Sequence, residues 1–118
     1  MRRKIAGPDG QEAIAAYLSG GASDASIATA VRFLLEELGS AHPGNSVEVR
    51  IPPYGAVQCI AGPTHTRGTP ANVVETDQIS WLELALGKSS FDELAASGKL
   101  TASGNRSDLA GLFPIFIP

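Results

Sequence analysis

The stretch NVVETDQISWLELALGKSSFDELAASGKLTASG, residues 72–104, contains the clearest structural signals of the chain. Its first five residues, 72–76, include three β-branched side chains, which favours a strand. Asp77 follows as an N-cap, and the apolar run 79–86 then predicts a helix that Gly87 ends. The stretch thus begins with a strand that leads directly into a helix.

A second short helix and a second strand complete this stretch. Ser90 and Glu93 have the spacing of a capping box, so a helix is predicted to begin after Ser90 and to end at Gly98. Residues 99–103 then predict a brief strand, and a helical turn is expected over 106–112. The predicted order of this region is therefore strand, helix, helix, strand and a final turn.

A β-hairpin is predicted upstream. Residues 46–51 alternate between apolar and polar side chains, so one face of this strand is buried. The turn over 52–55 contains two prolines, and residues 56–61 are expected to form the returning strand. The core-facing residues of the first strand are Val47, Val49 and Ile51. Two strands joined by so short a turn are antiparallel, which argues against a doubly wound parallel sheet.

Two helices are predicted before the hairpin, over about residues 8–39. Glycines 20–21 end the first, Ser23 or Asp24 caps the second, and Gly39 is expected to end it. The second helix has an apolar stripe at helical spacing, formed by Ile27, Val31, Leu34, Leu35 and Leu38. Its charged residues lie away from this stripe, and they are Arg32, Glu36 and Glu37.

We interpret the whole chain, residues 1–118, as a single domain, because no repeat, low-complexity tract or composition shift divides it. The N-terminal helices are followed by a region of sheet and helices over 45–112 and by an apolar tail over 113–118. This order of elements predicts an α+β fold in which helices pack on one face of a sheet.

Charge and cysteine content narrow the classes of function. The net charge is −3. Outside the basic cluster 2–4 the chain contains six basic and twelve acidic residues, so it lacks the basic surface of a nucleic-acid-binding protein. No apolar run approaches the roughly 18 residues of a membrane span, and no apolar region follows the basic start, so neither a span nor a signal peptide is predicted. Cys59 is the single cysteine, which excludes an internal disulfide and favours the cytoplasm.

Residues 72–104 resemble the sterol carrier protein superfamily, in which a strand, a helix ending in Leu-x-x-Gly, a short helix and a Gly-Lys segment follow one another. Residues 43–50 and 64–70 are similar to the small stand-alone sterol-carrier-like proteins of actinobacteria. The resemblance covers about residues 27–112. It implies about five mostly antiparallel strands with helices on one face, and a hydrophobic cavity between sheet and helices that holds a lipid acyl chain or a sterol.

The phase of each element selects the residues expected to line such a cavity: Val49, Val57, Cys59, Val73, Trp81, Leu84 and Phe91. In the polar loop 64–70, His65 and Arg67 are expected to bind a carboxylate or phosphate head group at the cavity mouth. The alternative is that Arg67 forms a surface ion pair with Glu75 or Glu48.

Catalytic and metal chemistry find little support in the sequence. Cys59, His42 and His65 lack the paired spacing of metal ligands, so neither a metal site nor a cofactor is expected. Cys59 lies in an alternating strand and is interpreted as a small buried hydrophobic residue. We expect Asp77 to cap a helix and Glu75 to be solvated, rather than both to form an acid–base pair.

The tail over 113–118 contains four large apolar residues, which would expose roughly several hundred Å² if they stood in water. We expect it either to cover the cavity mouth as a plug or to form half of a homodimer interface.

The sequence therefore predicts non-catalytic binding or transfer of a small hydrophobic ligand, and no enzyme. Two alternatives stay open. One is an interaction module without a lipid, which dimerises or docks on an enzyme through its tail. The other is a domain of the thiol-dependent isomerase type that uses His65 and Arg67.

Overall fold

The computed structural model describes residues 4–62 and 72–118. Within these ranges the elements follow in the order α1 (Gly7–Leu18), α2 (Asp24–Ala41), β1 (Val47–Ile51), β2 (Gly55–Cys59), β3 (Asn72–Thr76), α3 (Gln78–Ala85), α4 (Phe91–Ala96), β4 (Leu100–Ser103) and a 3₁₀ turn (Ala110–Leu112). The predicted α+β class is confirmed.

The strands form one sheet with the spatial order β2-β1-β3-β4. The hairpin β1–β2 and the pair β3–β4 are antiparallel, whereas β1 and β3 run parallel. The expectation of about five mostly antiparallel strands is therefore corrected: the described ranges form a four-stranded mixed sheet. The short turn fixes only the direction of β2 against β1. Nothing in the local pattern specifies that β3 pairs with the other side of β1 and runs in the same direction.

The hydrophobic core lies against one face of this sheet, which we call the inner face. Side chains of β1 alternate as predicted, with Val47, Val49 and Ile51 at most 1% exposed. On β2 and β3 the inner face is formed by Val57, Cys59 and Val74. These side chains belong to the same core as the buried residues of all four helices. The opposite, outer face is formed by the intervening, more polar residues of the strands.

Helices α2, α3 and α4 begin where their capping residues predict. Ser23 caps α2 and accepts a hydrogen bond from the Ser26 amide at 3.1 Å. Ser90 caps α4 and accepts one from the Glu93 amide at 3.0 Å. Because a cap side chain satisfies a donor within three residues, its position is visible in the local sequence.

Some predicted ends are wrong by a few residues. Gly39 lies inside α2, where it is buried, and the helix continues to Ala41. It ends there because His42 precedes Pro43, and the residue before a proline is disfavoured in helical conformation. Strand β2 ends at Cys59 rather than at residue 61, because Ile60 adopts a φ of 66°. The helical turn expected over 106–112 is shorter and occupies only residues 110–112.

Glu36 is buried although it lies away from the apolar stripe of α2. It is 7% exposed, and its Oε1 accepts hydrogen bonds from the backbone amides of Lys4 and Ile5, both at 3.1 Å. The segment before α1 therefore folds back over α2 and shields this carboxylate.

Asn72 connects three parts of the chain at the start of β3. The side chain is 4% exposed; its Nδ2 donates to the Ser46 carbonyl at 2.8 Å, and its Oδ1 accepts from the Arg106 amide at 2.8 Å. The start of β1 and the loop after β4 are thus held together by one buried amide.

Candidate ligand-binding site

Six of the seven residues predicted to line a cavity lie in the core. Val49, Cys59, Trp81 and Leu84 are at most 1% exposed, and Phe91 is 6% exposed. Val57 is also buried. Because Val49, Cys59 and Trp81 have almost no accessible surface, a ligand that reaches them must displace part of the chain. Leu84 and Phe91 also border the cleft described below.

Val73 does not join this group. It pairs with Glu48 of β1 on the outer face, whereas its neighbour Val74 faces the core and is 2% exposed. The lining residue expected in β3 is therefore off by one position. Both residues are valines, so hydrophobicity alone does not distinguish the two phases, and the pairing with β1 decides between them.

The two polar anchors, His65 and Arg67, lie outside the described residues, as does the alternative ion pair of Arg67 with Glu75 or Glu48. On the outer face, Glu48 forms an ion pair with Arg50 of the same strand. This contact raises the pKa of Arg50, first through the hydrogen bond and then through the charge of Glu48.

A cleft of about 400 Å³ lies between α3, α4 and the C-terminal segment. Its apolar wall is formed by Leu84, Phe91, Ala110, Phe113 and Pro114. Its polar side is formed by Lys88, Ser89, Ser90, Asp92 and Glu93. A volume of this size is at the lower end of the range of small-molecule sites, and the combination of an apolar wall with a polar rim suits an amphiphile.

The tail forms part of the wall of this cleft and is bonded to α3. The backbone amides of Ile115 and Phe116 both donate to the Ala85 carbonyl at the end of α3, at 2.8 and 3.2 Å. Phe113, Ile115 and Phe116 pack against the core, whereas Ile117 is 81% exposed. The structure thus places the tail on its own chain, and most of the apolar area that led to the expectation of a dimer is covered there.

Three aromatic rings meet where the tail packs against α3 and α4. The ring of Phe113 stands perpendicular to Trp81, with 5.8 Å between the centroids, and is stacked on Phe91 at 6.4 Å. Trp81 is fixed in turn, because its indole Nε1 donates to the Val31 carbonyl of α2 at 3.2 Å. The fold therefore brings Trp81 and Phe91 of the predicted lining set together with Phe113 of the tail. This contact could not be predicted from the sequence.

The Cys59 thiol has the properties of a core residue. Burial raises its pKa from an ordinary value of 9.0 to about 11. The reactive thiolate is therefore scarce at neutral pH, which supports the interpretation of Cys59 as a small hydrophobic side chain.

Asp77 is a capping residue, as predicted. Its two carboxylate oxygens accept hydrogen bonds from the amide and the hydroxyl of Ser80, both at 2.8 Å. Burial alone would raise the pKa of Asp77, but these hydrogen bonds outweigh it and lower the pKa below its usual value. Glu75 is exposed, as expected of a solvated side chain.

Across residues 4–62 and 72–118, no three side chains among His, Cys, Asp and Glu are grouped so as to hold a metal ion. In the same ranges no helix has the length and apolar character needed to cross a bilayer.

Comparison with known families places most of the chain in one of them. Residues 23–115 match the model of the family described as bacterial SCP ortholog, where SCP is sterol carrier protein. The match begins at the cap of α2 and includes the whole sheet and the first half of the tail. No curated protein matches the chain. The expected likeness to the actinobacterial members in particular stays a prediction.

Proposed function

Because the chain belongs to the family of bacterial orthologues of sterol carrier proteins, we propose that it binds and transfers a small hydrophobic ligand without catalysing a reaction. The observation that supports this most is the cleft of about 400 Å³, whose apolar wall includes Leu84, Phe91 and Phe113. The cleft joins predicted lining residues to the predicted plug.

The ligand enters by displacing the tail. The core beneath it is filled, whereas the tail is attached to α3 by two amide hydrogen bonds that share one acceptor, the Ala85 carbonyl. When residues 113–116 move away, Trp81 becomes available to the ligand, and more of Phe91 and Leu84, which already line the cleft, is uncovered. Burial of apolar area at roughly 25 cal/mol per Å² then replaces the contacts that the tail has lost.

The polar end of the ligand remains at the polar rim of the cleft. For this end we retain the prediction from the sequence that His65 and Arg67 bind a carboxylate or phosphate head group. An Arg67→Ala variant is then expected to weaken binding of a ligand with an anionic head and to leave binding of its uncharged ester unchanged. Equal weakening of both would contradict the anchor role.

The absence of catalysis belongs to the proposal as well. It is supported by Cys59, the single cysteine of the chain, which is buried and has a raised pKa, so it is poorly suited to act as a nucleophile.

The proposal is tested by native mass spectrometry of the protein purified from its source. We expect a mass in excess of the chain that disappears after extraction with organic solvent, because the bound lipid is released. A bare chain mass would contradict ligand binding and favour the interaction module instead.

Two variants sharpen this experiment. Phe91→Ala removes a ring from the wall of the cleft and should reduce the fraction of ligand-bearing protein. Ile117→Ser changes an apolar tail residue that is 81% exposed and should leave that fraction unchanged. Similar loss in both variants would mean that the adduct is bound elsewhere.

A further inference from the structure

The ring of Phe113 occupies a slot with two aromatic walls. Phe91 forms one wall and lies at 18° to the ring, with 6.4 Å between the centroids. Trp81 forms the other wall and lies at 90° to it, with 5.8 Å between the centroids. Stacked and edge-to-face contacts at these separations are the two arrangements that aromatic rings prefer. The slot therefore matches a flat ring on two sides at once.

The two walls of this slot belong to helices α3 and α4 rather than to the tail. Trp81 is 0% exposed and is held by its hydrogen bond to the Val31 carbonyl, and Phe91 is the first residue of α4, which Ser90 caps. Both walls are therefore positioned by helices, whereas Phe113 belongs to the segment after the last 3₁₀ turn. We therefore expect both walls to keep their places when Phe113 leaves.

The second ring of the tail has a different environment. Phe116 makes an edge-to-face contact with Phe33, with 6.4 Å between the centroids, and this is its one recorded ring contact among the described residues. The tail thus contains two phenylalanines, of which Phe113 has two aromatic walls and lines the cleft. Phe116 serves as a matched control for a ring of the same size at another place.

We propose that the slot between Trp81 and Phe91 is a subsite for a planar ring of the ligand, and that Phe113 occupies it in the ligand-free chain. The inference rests on the proposed function and specifies its ligand class: a hydrophobic compound with a flat ring of about phenyl size. The ring enters the slot, and the rest of the molecule lies in the cleft along Leu84 and Ala110.

A variant that vacates the slot tests this. Phe113→Ala removes the ring while the amides of Ile115 and Phe116 can still bond to Ala85. Binding of toluene and of n-heptane, which both have seven carbons, is measured by the change in Trp81 fluorescence. The concentration of each probe is expressed as a fraction of its solubility in water, so that the two can be compared. We expect toluene to bind about three- to tenfold more tightly than n-heptane, because only the flat ring makes the two aromatic contacts.

Phe116→Ala is the control variant: Phe113 still occupies its slot, so toluene should bind to it more weakly than to Phe113→Ala. Equal binding of the two probes by Phe113→Ala, or tighter binding of n-heptane, would overturn the inference. Toluene binding that is equally strong in Phe116→Ala would overturn it as well, since the site would then lie outside the slot.

The unaltered chain provides a second measurement that does not require the variant to fold. A ring that enters the slot must displace Phe113 and with it the tail, so toluene should speed amide hydrogen exchange at Ile115 and Phe116 more than n-heptane does. Equal effects of the two probes would overturn the inference.

Failure of the inference differs from failure of the proposed function. Protein that carries a ring-free lipid from its source, together with equal binding of the probes, overturns the ring subsite alone. Protein that carries no lipid overturns the proposed function, whatever the probes show, and the inference that rests on it.

Discussion

At Gly10 the missing side chain lets α1 lie directly against the ring of Phe33. A Cβ at this position would overlap that ring, which is 2% exposed and touches Phe116 on another side. The contact links the first helix, the second helix and the tail. In the sequence Gly10 is only one glycine near the start of a helix, because nothing local shows which ring it faces.

Gly10→Ala is expected to destabilise the protein by about 1–3 kcal/mol in urea unfolding, because the ring of Phe33 has no free space to move into. Gly7→Ala in the same helix is the control, since no atom lies within 4 Å of the added Cβ. It should be neutral or stabilising by up to about 1 kcal/mol. Equal effects of the two substitutions would show that helix propensity, rather than contact with Phe33, determines the loss.

The thiol of Cys59 gives a prediction for alkaline pH. Its pKa is about 11 in the folded chain and near 9.0 when unfolded, so the folded state holds the proton more strongly. The stability from this group is fully present below pH 9 and is lost as pH rises towards 11, by on the order of 1–2 kcal/mol. Urea unfolding of the unaltered chain between pH 8 and 11 should therefore show a steeper decline than that of Cys59→Ala. Parallel curves would contradict the burial of a protonated thiol.

At the level of elements, the strand β3 and the helix α3 show what local sequence can and cannot specify. Asp77 marks the start of α3 because its carboxylate bonds to Ser80 three residues on, and that spacing is visible in the sequence. The phase of β3 is different, since either Val73 or Val74 could face the core by composition. The parallel pairing with β1, which is remote in the chain, selects Val74.

The cap of α3 can be tested by substitution. Asp77→Ala should cost about 1 kcal/mol at pH 7, because the Ser80 amide loses its acceptor. The pKa of Asp77 is lowered in the folded chain, so its ionised form stabilises the fold above the unfolded pKa near 3.9, and this contribution is lost as pH falls through the folded pKa. The difference in melting temperature between the unaltered chain and Asp77→Ala should therefore become smaller below about pH 4.

Asp77→Asn is the control for charge, because its amide oxygen can still accept the hydrogen bond from Ser80. Its stability should stay near that of the unaltered chain at pH 7 and should vary less between pH 3 and 6. If Asn is as destabilising as Ala, the hydrogen bond is not the cause of the loss.

At the scale of the whole molecule, the tail returns across the end of α3 and closes the aromatic core. Phe113 contacts α4 and Phe116 contacts α2. The backbone amides of Ile115 and Phe116 donate to the Ala85 carbonyl of α3. The two expectations for the tail, a plug over a cavity mouth and a dimer interface, both stay predictions.

Deletion of residues 113–118 should lower the stability by about 3 kcal/mol and increase binding of a dye for apolar surfaces, because Trp81 and Phe91 lose their cover. The oligomeric state in size-exclusion chromatography should stay the same. A change from dimer to monomer would instead favour the interaction module, and unchanged dye binding would exclude the plug.

Deletion of residues 117–118 alone is the control. Ile117 is 81% exposed and Pro118 is also exposed, so this shorter deletion removes little buried area. It should leave both stability and dye binding as they are in the unaltered chain.

The sequence by itself determined the elements and their caps: the alternation of β1, the stop at Gly87 and the start of α3 at Asp77 each depend on neighbours within a few residues. It also determined the family, through the stretch 72–104. Only the tertiary structure decided that β1 and β3 run parallel, that Glu36 is buried, and that Phe113 stands between Trp81 and Phe91. The physical reason is that these features are contacts between residues far apart in the chain, and such contacts depend on how whole elements pack rather than on the preference of any one segment.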